Sequence, residues 1–441
     1  MHTNDTNGDA ASLSRPRRGD RRSQERAAPP CSFLPLGKTS CVPVIVLSVW
    51  LAIGHTTFAL STVPLDRSGG ALFPAKSAWN AAIDRFGGQL SPLEEQLFAD
   101  AAGGRFDEHD LFQAALVASG VDDDDSLRKY QRQLADLTAE LRREKKLTGA
   151  PRRQAEAVFD FLHGRILTGG YRLDCTDLRK ALDQGRFNCV SASVLFNCLA
   201  AECGLAARGL ECPGHAMSRV YLPGATLDVE TTCARWFRLC HDPQQQAEHV
   251  EKTLGASAKD RAALREVSEV ELVAMIYYNR GVDLLAEKRF AEAAAANAKA
   301  LRLAPGSATA RGNLLATLNN WAIALGSDGK YAAAADLLRQ GMATDPAFET
   351  FAVNFVHVHH EWTGQLCRAG KYEEAIGLLS RAAIERPDRT YFSQAAVEIY
   401  RRWGRALRDA GQKDEARAVF EQARRRYGVS REVLEVDDSQ L

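Results

Sequence analysis

An internal repeat of 41 residues constrains the carboxy-terminal third of this chain more than any other feature. Four sets of equivalent positions recur at that spacing: small residues (Gly281, Ala322, Thr363, Gly404), aromatic residues (Phe290, Tyr331, Tyr372), alanines (Ala293, Ala334, Ala375, Ala416) and prolines (Pro305, Pro346, Pro387). Small residues let two helices approach closely, and proline ends a helix, so each unit is expected to form a helix, a short turn and a second helix. Such units bury their apolar faces against their neighbours. The sequence therefore predicts an all-α solenoid of four units over residues 271–428.

The repeats resemble tetratricopeptide repeats, whose usual period is 34 residues. The resemblance is carried in the first unit by Gly281, Phe290, Ala293, Ala300 and Pro305, and in the third by Trp362, Tyr372, Ala375, Ala382 and Pro387. The seven extra residues equal about two helical turns, so the first helix of each unit is expected to be lengthened. Lys413 replaces the aromatic residue in the fourth unit, as expected of a terminal capping unit. The resemblance implies that the solenoid binds a protein or peptide ligand.

Charge and length narrow the function classes. The 441 residues contain 56 Lys plus Arg and 56 Asp plus Glu. This balance argues against nucleic acid as a partner, because such binding depends on neutralising phosphates. The length allows several domains. Residues 1–40 are rich in Ser, Arg, Asp and Pro and are expected to be a disordered, basic leader.

An apolar segment follows the basic leader. The stretch Pro43–Gly54 is strongly hydrophobic, and no charged residue lies between Lys38 and Asp66. Residues 41–65 are therefore expected to be a signal peptide or a single membrane anchor, with cleavage near Ala59-Leu-Ser61 as one outcome. In either case the rest of the chain is expected to be exported, and an uncleaved segment would hold the protein at the membrane. The remaining alternative is a buried core helix.

Four further regions are expected from the pattern of helices and breaks. They are a helical amino-terminal region (66–130), a central domain (131–245), a helical linker (246–270) and a tail (429–441). Ser91-Pro-Leu-Glu94 has the spacing of a helix capping box. Asp122–Asp125 are expected to start a helix over Leu127 to Leu147, because acids there complement the helix dipole and the spacing lacks the pattern of a calcium loop.

The central domain places a cysteine at the start of a helix. Asn188 is a good helix cap, Val190 to Cys203 have helical spacing, and Gly204 is expected to stop the helix. Cys189 then lies in the first turn, where the helix dipole and free N–H groups favour the reactive thiolate. The plainer alternative is a buried thiol on an amphipathic helix.

A β-meander is expected after this helix. Residues 206–212, 215–222 and 226–231 have extended character, with turns at Pro213-Gly214 and Pro223-Gly224. His215 lies on the second strand and Asp228 on the third, so the two are expected to be cross-strand partners. A nucleophile, a base and a group that orients the base are what acyl transfer through a thioester requires.

These residues resemble the transglutaminase-like superfamily, which has a papain-like α+β core. The resemblance is carried by Asn188-Cys189, by the helix ending Gly204–Arg208, by Gly214-His215-Ala216 and by Leu227–Thr231. It is closest to the SirB-type branch, in which a repeat domain is often attached, although Ala216 stands where an aromatic residue is usual. The resemblance implies that Cys189 is the nucleophile, His215 the general base and Asp228 the orienting carboxylate, with the Cys189 N–H in the oxyanion hole.

Two functions are compatible with this reading. The first is a cysteine hydrolase or acyltransferase that acts on a peptide or another amide, and needs no cofactor or metal. The second is a non-catalytic scaffold that binds partners through the solenoid and retains a relict core. A zinc site at Cys203, Cys212, His215, Cys233, Cys240 and His241 is disfavoured by irregular spacing. His357, His359 and His360 with Glu361 are expected to lie on an exposed turn of a solenoid helix rather than to bind metal.

Overall fold

The computed structural model describes residues 76–143, 147, 149–212, 214–239, 244–245, 248, 264–430 and 434. The leader, the hydrophobic segment over 41–65 and most of the 246–270 linker lie outside these residues. The described part is mostly helical, with a small antiparallel sheet and a carboxy-terminal stack of helices. Within that part of the chain, no helix is both long and apolar enough to cross a membrane.

The first five helices of the described chain are α1 (Lys76–Phe86), α2 (Pro92–Asp100), α3 (Leu111–Ala118), α4 (Asp124–Arg142) and α5 (Pro151–Phe161). The capping box expected for α2 is present, because Ser91 and Glu94 each bond the backbone N–H of the other. Asp123 caps α4, which carries two acids in its first turn and ends at Arg142, short of the expected Leu147. A π-helical turn, Leu162–Ile166, directly follows α5.

The central domain combines a short two-stranded pairing, a buried helix and a four-stranded sheet. Its elements are β1 (Gly170–Tyr171), α6 (Leu178–Gln184), β2 (Arg186–Phe187), α7 (Cys189–Glu202), β3 (Ala207–Cys212), β4 (His215–Leu222), β5 (Ala225–Val229), α8 (Trp236–Leu239) and β6 (Arg265–Val267). Strands β1 and β2 pair in parallel, while the sheet has the antiparallel order β5-β4-β3-β6. Helix α7 packs against β3 and β4 and is buried over most of its length. The expected helix and meander are therefore both present.

The carboxy-terminal stack consists of four helical hairpins in the described chain. Its helices are α9 (Glu269–Ala286), α10 (Phe290–Leu303), α11 (Ala308–Ser327), α12 (Tyr331–Thr344), α13 (Thr350–Arg368), α14 (Tyr372–Glu385), α15 (Tyr391–Asp409) and α16 (Lys413–Tyr427). The second helix of each hairpin begins 41 residues after the one before it. The first helices have 18 to 20 residues and the second helices 14 or 15, so the extra length lies in the first helix.

Contacts inside the stack explain why small and aromatic residues recur. Gly404 lies so close to Phe420 that a Cβ atom there would be 2.2 Å from the ring. Tyr331 stacks on Trp362 with ring centroids 6.4 Å apart, and Tyr372 stacks on Trp403 at 6.1 Å. The small residue admits the partner helix and the aromatic pair fills the space between consecutive hairpins.

Each hairpin turn contains one residue in the left-handed region. These residues are Lys288, Gly329, Gly370 and Gly411, which are also 41 residues apart, with φ between 61° and 80°. Glycine adopts this conformation without steric cost, so Lys288 is the one strained position of the four.

The stack is joined to the preceding helices and to the central domain. Helix α9 packs against α3 and α7. Glu94 at the start of α2 accepts hydrogen bonds from the Tyr277 hydroxyl at 3.1 Å and from the Lys299 ammonium at 2.7 Å. The first hairpin of the stack therefore packs directly against the preceding helices and the central domain.

Candidate active site

Cys189 is the first residue of α7, and Asn188 fixes the start of that helix. The Asn188 side-chain oxygen accepts hydrogen bonds from the N–H groups of Val190 and Ser191, and Ser191 Oγ accepts one from the Asn188 N–H. The Asn188 amide in turn donates to the Leu173 carbonyl at 3.1 Å. These bonds occupy the neighbouring N–H groups, whereas the Cys189 N–H has no acceptor among the residues that the structure describes.

His215 connects Cys189 to a buried carboxylate. His215 begins β4, and its Nε2 lies 2.7 Å from Glu230 Oε2. The imidazole also forms a side-chain hydrogen bond with Cys189. Because Nε2 is engaged by Glu230, Nδ1 is the ring nitrogen left for the sulfur. The Cys189 side chain is 8% exposed and that of His215 is 9% exposed, so both lie just beneath the surface.

The predicted pairing of His215 with Asp228 is wrong, and Glu230 takes that position. Asp228 instead binds Arg219, with Oδ1 2.6 Å from Nε and Oδ2 2.9 Å from Nη2. Both members of this ion pair are about a quarter to a third exposed, whereas Glu230 is fully buried. The carboxylate that contacts the histidine is therefore two residues further along the chain.

The register of the β4–β5 hairpin explains this difference. Leu222 pairs with Ala225 across the two-residue turn, which places Arg219 directly opposite Asp228. Arg219 lies four residues from His215, or about 13 Å along the strand. Counting outward from the turn would have given this register from sequence, because a two-residue loop fixes the pairing of its strands.

The positive charge of His215 stabilises both anions, the Cys189 thiolate and the Glu230 carboxylate, while Glu230 itself acts to raise the pKa of Cys189. Burial would raise the pKa of Cys189, but the hydrogen bond and charge of His215, with a bond from the Ala216 N–H, bring that pKa below its usual value. Burial would lower the pKa of His215, but the charges of Glu230 and Cys189 raise it well above the usual range. Burial would likewise raise the pKa of Glu230, and His215 together with Thr232 brings it down. The site thus favours thiolate, imidazolium and carboxylate.

The segment around Glu230 is held by bonds on both sides. Glu230 Oε1 accepts from the N–H and the hydroxyl of Thr232, at 2.9 and 2.6 Å. The Thr231 hydroxyl lies 2.9 Å from that of Ser193 on α7, and the Trp236 indole donates to the Asp228 carbonyl at 2.9 Å. The two bonds from Thr232 hold the carboxylate itself, and the bonds at Thr231 and Asp228 anchor the residues on either side of it.

His163 in the π-helical turn supports the same segment. Its Nε2 donates to the Thr231 carbonyl at 3.0 Å, and its ring lies 4.6 Å from that of Phe159. Burial lowers the pKa of His163, so the imidazole is neutral and suited to this bond. Its place on an irregular turn beside the site agrees with the frequent occurrence of π-helical turns at functional sites.

Two tyrosines feel the charge of Cys189. Tyr171 on β1 forms a side-chain hydrogen bond with Cys189. Tyr278 comes from the first helix of the stack and bonds Glu211 on β3. The charge of Cys189 contributes to a raised pKa in both tyrosines, after burial as the main cause. Sequence reasoning identified neither residue, because both are brought to the site by tertiary packing.

The other cysteines and histidines form no alternative centre in the described chain. No group of three or more potential metal ligands is present there, and no disulfide joins the cysteines that the structure describes. Burial raises the pKa of Cys212 to about 11 and that of Cys198 well above its usual value, which leaves both as unreactive thiols. The expectation that His359 is exposed is wrong: it is buried, and its Nδ1 donates to the Phe355 carbonyl.

No family model matches this chain, and a comparison with curated proteins finds no match.

Proposed function

We propose that this protein is a cysteine acyl-transfer enzyme with a transglutaminase-like, papain-like core. The observation that carries the proposal is the single imidazole of His215, which bonds both Cys189 and the buried Glu230. A thiolate held by an imidazolium, itself held by a carboxylate, is the arrangement that nucleophilic catalysis on an amide requires. Cys189 and His215 take the roles expected from sequence, and Glu230 takes the role expected of Asp228.

The reaction proceeds through a thioester. The Cys189 thiolate attacks the carbonyl carbon of a peptide or side-chain amide, the C–S bond forms, and the π electron pair moves to the carbonyl oxygen. The Cys189 N–H, for which the described residues provide no acceptor, binds that oxyanion. When the intermediate collapses, the C–N bond breaks and His215 gives its proton to the leaving amine. Water or a second amine, deprotonated by His215, then attacks the thioester and releases Cys189.

The stack of helical hairpins serves this enzyme as a binding domain. Its 41-residue period, small residues and aromatic pairs support a tetratricopeptide-like architecture, which suits extended peptides and helices. Nucleic acid is not among the proposed partners. The apolar segment at 41–65 supports export, either as an anchor or as a cleaved signal, and cell fractionation of the full chain tests that part.

The direct test is to trap the acyl-enzyme. The full chain is incubated with p-nitrophenyl acetate, and tryptic peptides are examined by mass spectrometry with Cys189→Ala as the control. We expect an acetyl thioester on Cys189. Water should hydrolyse it, and an added amine such as glycine methyl ester should remove it faster. If the wild-type protein releases no more nitrophenol than Cys189→Ala, the proposed enzymatic function is refuted and a non-catalytic scaffold is favoured.

A further inference from the structure

The position of Tyr171 is set by the strand pairing that leads into α7. Strand β1 pairs with β2 in parallel, with Tyr171 opposite Phe187, which lies two residues before Cys189. The Tyr171 ring meets that of Phe187 edge to face, with centroids 6.0 Å apart and an interplanar angle of 83°. The backbone pairing and the ring contact together hold the tyrosine beside the start of the helix.

The Tyr171 hydroxyl is a hydrogen-bond donor to the sulfur. Burial, followed by the charges of Cys189 and Glu230, raises the pKa of Tyr171 far above its usual value, so the phenol keeps its proton. A thiolate has no proton to give, so the hydrogen bond between the two side chains runs from the phenol to the sulfur. The sulfur also receives a bond from the Ala216 N–H.

We propose that Tyr171 is a further catalytic residue, whose hydroxyl binds the Cys189 thiolate before attack and the carbonyl oxyanion after it. This inference rests on the proposed acyl-transfer function. During attack the negative charge leaves the sulfur and appears on the carbonyl oxygen, two bonds away. The Tyr171 hydroxyl, which is already hydrogen-bonded to the sulfur, is close enough to bind that oxygen. The Cys189 N–H and the Tyr171 O–H then supply two donors to the oxyanion. The phenol keeps its proton throughout, so the proton balance between His215 and the leaving amine is unchanged.

The test compares two reactions of the same sulfur. Alkylation by iodoacetamide consumes the thiolate without forming an oxyanion, whereas acylation by p-nitrophenyl acetate passes through one. Both rate constants are measured on the full chain at a pH where Cys189 is fully ionised, with the Cys189→Ala background subtracted. For Tyr171→Phe we expect acylation to slow about 100-fold, the usual effect of losing one oxyanion donor, and alkylation to change less than about threefold.

Tyr221→Phe is the matched control, because Tyr221 on β4 donates its hydroxyl hydrogen bond to Glu266 at 2.5 Å and makes no bond within the candidate site. It is expected to leave both rates unchanged. Equal slowing of the two reactions in Tyr171→Phe would reveal a structural role only, and unchanged or faster acylation would also overturn the proposal. If the wild-type Cys189 reacts with neither reagent, the proposed enzyme itself fails, which separates that outcome from a failure of the tyrosine assignment.

Discussion

The helical stack and the central domain specify their structures in different ways. In the stack the same packing contacts recur in successive hairpins. A small residue allows a neighbouring helix to approach closely, as at Gly404 against Phe420, and an aromatic pair fills the space between hairpins, as at Tyr372 against Trp403. In the central domain each contact occurs once, and the pairing of His215 with Glu230 depends on strand register. A change in the stack is therefore expected to alter stability, whereas a change in the central domain is expected to alter chemistry.

The largest effect is expected in the central domain, from Glu230→Gln. This change keeps the shape of the side chain but removes the charge that stabilises the imidazolium of His215. Acylation of Cys189 by p-nitrophenyl acetate should slow about 100-fold or more, as for other orienting carboxylates. The measurement is the initial release of nitrophenol.

The control for Glu230→Gln is Asp228→Asn on the same strand. Asp228 binds Arg219 in a partly exposed ion pair, and such pairs contribute about 0–1 kcal/mol to stability. The Asn variant should therefore react at nearly the wild-type rate. If Asp228→Asn loses the reaction and Glu230→Gln retains it, the assignment of the orienting carboxylate is reversed.

Adding one methyl group at Gly404 should destabilise the stack. An alanine Cβ there would lie 2.2 Å from the buried Phe420 ring, so Gly404→Ala should lower the free energy of unfolding by about 1–3 kcal/mol. Urea unfolding followed by circular dichroism measures this change.

Gly377 on α14 provides the control within the stack. The nearest atom to a Cβ at this position is the flexible end of Arg381, 3.7 Å away. Gly377→Ala should therefore raise the free energy of unfolding by about 0.5–1 kcal/mol through helix propensity. Destabilisation of both variants to the same extent would contradict the steric account of the repeat.

The smallest effect is expected at the one hairpin turn that lacks glycine. Lys288 has φ 61°, where its three counterparts are glycines. Lys288→Gly should change the free energy of unfolding by up to about 1 kcal/mol in the stabilising direction, because relief of the strained conformation exceeds the added chain entropy. Lys330→Gly, at a position with φ −85°, should not raise the free energy of unfolding. Thermal unfolding of the two variants in parallel would show whether they differ.

The same contrast explains what could be predicted from sequence. The hairpins could be predicted because the 41-residue repeat occurs four times. The helix cap at Asn188 and the strands around His215 could be predicted from local sequence signals. Glu230 was missed because residue order alone does not give strand register. Tyr171 and Tyr278 were missed because their neighbours are distant in sequence. Local and periodic signals thus define the elements, while the site depends on how those elements pack.

The central claim, that His215 and Glu230 prepare Cys189 as a thiolate, is tested most directly by the pH dependence of its alkylation. The rate of iodoacetamide labelling at Cys189 is followed by mass spectrometry from acidic to alkaline pH in the wild-type protein. Because His215 lowers the pKa of Cys189, the rate should reach its plateau below the pH at which an ordinary cysteine ionises, and His215→Gln should move the midpoint upward. A wild-type midpoint at or above that of an ordinary cysteine, unmoved by His215→Gln, would contradict the account.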